Sequence, residues 1–193
     1  MLGLLLSFAN VHAQRPDASV LRTMLFDRDP EIRVKAAEGL VRVGGRQAVI
    51  ILREGLTDGN ASVRIAIVEA LGFIGGGFAM NVLSESLKDN NPEVRIRAVE
   101  ALKDAGTVNS IPILQKVFGD KSESVRLHAA LMLRKIGHRR GVPVLGKVAV
   151  DDKSAAVRAA AASHLGKVGV KDSSWASVVC SEGGKRFKTG GAI

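Results

Sequence analysis

Tyrosine is missing from this 193-residue chain, tryptophan and cysteine occur once each, and proline only five times. A lone thiol, Cys180, cannot form a disulfide within the chain, which fits a reducing compartment and leaves packing to hold the fold. Few aromatic residues beside abundant Ala, Leu and Val argue against an aromatic-rich β-sandwich and for helices packed through small and aliphatic side chains. No apolar run approaches the roughly 20 residues of a membrane-spanning helix. Acidic residues are also in deficit: 19 Asp and Glu against 28 Lys and Arg give a net charge of +9. That balance admits an acidic partner, nucleic acid or an anionic membrane surface. An apolar content of 46% excludes wholesale disorder.

What the chain has in quantity is self-similarity. A shift of 31 residues aligns DRDPEIR (27–33), DGNASVR (58–64), DNNPEVR (89–95) and DKSESVR (120–126), and a fifth copy, DKSAAVR (152–158), comes one residue late. Each copy places an Arg six residues after an Asp: Asp27 and Arg33, Asp58 and Arg64, Asp89 and Arg95, Asp120 and Arg126, Asp152 and Arg158. Eleven residues beyond each Arg stands Gly44, Gly75, Gly106, Gly137 or Gly169, where a helix end favours left-handed backbone. Between Arg and Gly, the third copy shows Val94, Ala98, Ala101, Leu102 and Ala105 at the spacing of one helical face. After each Gly a second apolar pattern carries Leu21, Leu52, Leu83, Leu114 and Leu145, followed four residues later by Leu25, Leu56, Leu87, Phe118 and Ala149. The unit is a pair of short helices, and such a pair buries its apolar faces only by stacking on its neighbours.

The turn Asp, the Arg six residues later, and a Pro eight residues before an Asp (Pro112 and Asp120, Pro143 and Asp151) resemble HEAT-like α-solenoids of the short-repeat type also found in phycobilin lyases. The resemblance spans residues 17–169 and implies an all-α, right-handed solenoid of about five helix pairs with a 31-residue period. It also implies that each turn Asp binds the Arg of its own or an adjoining repeat. The Asp can cap the second helix as well. Catalysis seldom needs five equivalent copies of a pair, whereas a structural ladder needs them all.

The ends depart from the repeat. Leu5, Phe8 and Ala9 fall on core positions of the register, so residues 1–16 read as a partial repeat helix. The same stretch offers an apolar run and a Val11-His12-Ala13 suited to signal cleavage, with no Lys or Arg before it. The expected location is the cytoplasm, or outside it if residues 1–13 are a signal. From 170 to 193 the pattern fails, leaving a weak cap around Trp175 to Val179 and a basic tail, expected to be disordered, with Lys185, Arg186 and Lys188.

Sites for chemistry are few. His128 and His164 occupy different repeat positions, and the His-Glu pairs by which the HEAT-type deoxyhypusine hydroxylases bind iron are lacking, so neither metal nor cofactor is expected. Gly44-Gly45 and Gly75-Gly76-Gly77 lack the Gly-Lys-Ser/Thr ending of a phosphate loop, and no His follows Cys180 to activate it. No catalytic residue is assigned.

Surface residues of the second helices remain. By resemblance, positions equivalent to 35, 38 and 42 line the concave face of the solenoid: Lys35, Glu38 and Arg42; Ala66, Glu69 and Phe73; Arg97, Glu100 and Asp104; His128, Leu131 and Lys135. Phe73 and Leu131 are apolar where polarity is expected, which marks them as contact anchors. Between Glu123 and Asp151 stand Arg126, Arg134, Lys135, Arg139, Arg140 and Lys147 and no acid, a candidate basic end. The expected function is a monomeric, non-catalytic scaffold that binds another protein through these residues. The alternatives are a subunit resembling the phycobilin lyases that handles a tetrapyrrole, and a nucleic-acid binder resembling the HEAT-like DNA glycosylases. Without interleaved aromatics to stack bases, contact with nucleic acid would be electrostatic and salt-sensitive.

Overall fold

The computed structural model describes residues 17–105, 108–137 and 140–167, with the backbone alone at 103–105, 164, 166 and 167. The expectations for residues 1–16, Gly106, Gly169 and 170–193, for Arg139, and for the side chains of Asp104, Ala105 and His164 fall outside it. Among the described residues are ten α-helices and no strand. Five first helices, α1 (Ala18–Met24), α3 (Gly45–Glu54), α5 (Gly76–Ser86), α7 (Ile111–Val117) and α9 (Gly141–Asp151), alternate with five second helices. These are α2 (Pro30–Val43), α4 (Ala61–Ile74), α6 (Pro92–Ala105), α8 (Glu123–Ile136) and α10 (Ala155–Lys167).

Local chemistry sets the boundaries of the second helices. Each turn Asp folds its Oδ1 onto the N–H two residues ahead, as Asp58 does to Asn60 and Asp89 to Asn91, both at 2.8 Å. It therefore occupies the turn and does not cap the helix, contrary to the sequence expectation. The cap is the residue whose N–H donates that bond: the side chains of Asp29, Asn60 and Asn91 each accept from the N–H two further on, at 2.8 Å. In Asp58 and Asp89 both carboxylate oxygens are engaged, by that N–H and by an Arg side chain, so the cap falls to the Asx residue two positions on. Pro30 and Pro92 start their helices where a missing N–H costs nothing. At the other end, Gly44 and Gly75 have φ of 65° and 67° with ψ near 180°, a region open essentially to glycine alone.

The second helices pack in one continuous row, α2 on α4, α4 on α6, α6 on α8 and α8 on α10. Helices α4 and α6 approach closely at Gly72, where an added Cβ would lie 2.8 Å from the Ala101 Cβ and 3.2 Å from its Cα. The five leucines of the first helices (21, 52, 83, 114 and 145) are all buried in the single core, with Val94, Ala98, Ala101 and Leu102 on the facing stripe. Of the positions four residues later, only Leu25 is buried, while Leu56, Leu87, Phe118 and Ala149 are half-buried. First helices touch each other less extensively than second helices do, and least around α7. There the helix is seven residues long, with Pro112 in its first turn behind a 3-10 turn at Val108–Ser110. The Ser110 hydroxyl in that turn donates to the buried Leu102 carbonyl at 2.6 Å.

Candidate functional site

The ladder has a definite direction. Each Arg reaches forward across the repeat boundary: Arg33 to Asp58, Arg64 to Asp89, Arg95 to Asp120 and Arg126 to Asp152, always through Nε and Nη2 to both carboxylate oxygens at 2.6–3.1 Å. The remaining nitrogen, Nη1, donates backward to the carbonyl of its own turn Asp, at 2.7–2.9 Å for these four. One guanidinium thus ties three segments, a planar fork that Lys could not reproduce. The partner in the fifth copy is Asp152, whereas Asp151, eight residues after Pro143, is exposed. Arg158 makes the backward bond to the Asp152 carbonyl at 2.8 Å and has no carboxylate partner among the described residues. The Asp27 carboxylate binds the Asp29 N–H at 2.8 Å and receives no Arg side chain among the described residues.

Burial would raise the pKa of Asp58, Asp89, Asp120 and Asp152, but the Arg side chain, the N–H two residues ahead and the nearby positive charge outweigh it. All four carboxyls are held below their ordinary value. Exposure falls to 2% for the Arg126 side chain and 4% for Asp152, so this rung is the most enclosed. Such groups are occupied and shielded, which leaves them no capacity for proton transfer with a substrate.

The outward face of the second helices is open. Phe73 near the end of α4 is 79% exposed, the highest value among the exposed large apolar residues. Beside it a shallow groove of about 280 Å³ runs between α4 and α6, lined by Glu69, Gly72, Phe73, Arg97, Glu100 and Ala101. Arg97 stands among three carboxylates, 3.1 Å from Glu93, 3.3 Å from Glu100 and 3.8 Å from Glu69. Glu100 also lies 3.7 Å from His128 Nε2, whose Nδ1 faces the Ser124 carbonyl at 2.8 Å and therefore carries a hydrogen. Leu131 is half-buried against the core and is not the free-standing anchor expected from the sequence. Lys35, Glu38, Arg42 and Lys135 are exposed on the second helices.

The basic run after Glu123 is divided by the fold. Arg126 is buried in the ladder, Lys135 is on a second helix, Arg140 precedes α9, and Lys147 lines a groove on the first-helix side. Two features of that side escaped the sequence reading: outer ion pairs, Arg22–Glu54 at 2.8 Å and Arg53–Glu85 at 2.9 Å, and grooves of about 490 and 240 Å³ flanking α7. Aligning first helices at an offset of 32 would have exposed the pairs. The grooves depend on how far apart the helices lie, and no spacing reports that.

A family model for HEAT repeats matches residues 18–103, 54–131 and 112–174. The chain belongs to the HEAT-repeat family. Among solved structures, this HEAT-repeat protein is similar to the complex of CpcE and CpcF of phycocyanin lyase from Nostoc sp. PCC7120, with 21% identity and a TM-score of 0.59. The match covers 76% of the HEAT-repeat chain and 96% of that one. It is also similar to the crystal structure of an engineered protein, at 21% identity and a TM-score of 0.49 over 86% of this chain and 84% of that one. No curated protein matches the chain. At 21% identity the likeness to the lyase complex is one of fold, an all-α solenoid. No described helix is long and apolar enough to cross a membrane.

Proposed function

We propose that this HEAT-repeat protein is a monomeric, non-catalytic scaffold that docks another protein on the outward face of its second helices, centred on Phe73. The observation that carries the reading is a phenylalanine left 79% exposed at the lip of a groove, more exposed than Phe26, Val20, Ile50 or Phe78. Burying a side chain of this size under a partner contributes about 1.5–3 kcal/mol, enough to make one residue an anchor. Three glutamates around one arginine favour a partner segment with basic side chains beside its apolar contact. Lys35, Glu38, Arg42, His128 and Lys135 extend the same face and set its selectivity. The Asp–Arg ladder keeps the face in register and makes no contact with the partner.

Affinity capture with mass spectrometry, run in parallel on the wild type and Phe73→Ala, tests this. A basic partner retained by the wild type and lost by the variant, with an unchanged melting temperature, is the expected result. Identical captured sets from both would refute it. A tetrapyrrole-handling role, suggested by the fold shared with the phycocyanin lyase, has a separate test: a shift in bilin absorbance on mixing would establish it and displace the scaffold reading.

A further inference from the structure

The first-helix side of the solenoid carries a second ladder that stops halfway. Arg22 on α1 pairs with Glu54 on α3, and Arg53 on α3 pairs with Glu85 on α5, each across 32 residues. The same offset leads next to Ser84 and Lys116, then to Gln115 and Lys147. At both later joints the acid has become a lysine and the arginine a neutral residue, so no ion pair can form.

At these two joints the surface opens. The groove between α5 and α7 has a volume of about 490 Å³ and that between α7 and α9 about 240 Å³. They are one groove repeated, since Ser84, Leu87, Ile113 and Lys116 of the first correspond to Gln115, Phe118, Val144 and Lys147 of the second. The carboxylates at their edges are engaged elsewhere: Glu85 with Arg53, Asp120 with Arg95 and Asp152 with Arg126. Lys88, Lys116 and Lys147 are exposed and make no ion pair among the described residues, against the single unengaged acid Asp151. The unsatisfied charge is positive and the floor is apolar.

We infer that these paired grooves are a second docking surface, distinct from the Phe73 face, for a protein segment that presents acidic side chains to Lys116 and Lys147 and apolar ones to the floor. A nucleic acid would satisfy the lysines but has no aliphatic groups to set against Leu87, Ile113 and Val144, and the only aromatic ring on the floor, Phe118, is half-buried. Charge complementarity and an apolar floor together select an acidic, amphipathic peptide.

A displayed library of random 12-residue peptides, panned on the whole chain, provides the probe. Enriched peptides are expected to combine Asp or Glu with aliphatic residues, and a synthetic representative to weaken as salt is raised. Two variants locate the site. Lys116→Ala with Lys147→Ala removes the charge, and Ser84→Arg with Lys116→Glu rebuilds the missing rung on the pattern of Arg53 and Glu85. Each is expected to weaken binding of the peptide at least about tenfold with an unchanged circular dichroism spectrum, whereas Phe73→Ala leaves it unaltered. Peptides without acids, full binding to both variants, or a single-stranded oligonucleotide that binds in place of any peptide would overturn the proposal.

Discussion

Replacing Arg126 by Ala isolates the energetic role of one rung. The change removes a bidentate contact to Asp152 at 2.9 and 3.1 Å and the Nη1 bond to the Asp120 carbonyl at 2.9 Å. It leaves the Asp152 carboxylate, 4% exposed, without its cation. Breaking a buried pair from one side costs about 3–5 kcal/mol, because the surviving charge is desolvated and unpaired. At about 2–4 °C per kcal/mol for a domain of this size, the melting temperature should fall by roughly 6–20 °C. The loss acts at the joint between the fourth and fifth repeats, so amide exchange in α9 and α10 should accelerate before that in α4 and α6. Adding Asp152→Ala removes the stranded charge, and the double variant should recover part of the loss, with a coupling energy above about 1 kcal/mol. A single variant that loses less than about 1 kcal/mol, or a cycle that is strictly additive, would refute the ladder as a structural element.

Acid should act on the same rungs. Asp58, Asp89, Asp120 and Asp152 have carboxyls lowered in the folded state, so the unfolded chain binds more protons as pH drops. Their contribution is fully present above the unfolded value of about 3.9 and is lost as pH falls through the lower folded values. A melting series should be flat above about pH 5 and decline steeply below about pH 4, and a constant melting temperature down to about pH 2 would contradict this. Gly72→Val should cost about 1–3 kcal/mol in chemical denaturation, because the new Cβ meets the Ala101 Cα as well as its Cβ and the two helices must separate. Gly75→Ala should cost a similar amount, about 1–3 kcal/mol, since φ of 67° with ψ of −168° is strained for any side chain; an unchanged midpoint would show that the turn relaxes.

Much of the fold was legible because stacked repeats print their register into the sequence. The spacing of Asp58, Arg64 and Gly75 fixed a turn, a helix and its end within a few residues, since each reflects local backbone chemistry. Which residue caps the helix was not legible, because Asp58 and Asn60 are both competent acceptors and only the traced hydrogen bonds separate their tasks. Of the two apolar anchors expected on the second helices, Phe73 is exposed and Leu131 lies half-buried on the core, though both stand at outward positions. How far a neighbouring helix overhangs such a position is a tertiary matter.

Sequence alone determined that the chain is a row of short helix pairs with an Asp in each turn and an Arg six residues later in the second helix, because helix periodicity, Asx turns and glycine ends act over ten residues or fewer. Tertiary structure decided that each Arg serves the next repeat as well as its own, since a guanidinium and a carboxylate 25 residues apart are joined by stacking and not by chain connectivity. It also decided where the surface opens. Around the short α7 the outer rungs end at Lys116 and Lys147, and the gap between helices becomes a groove.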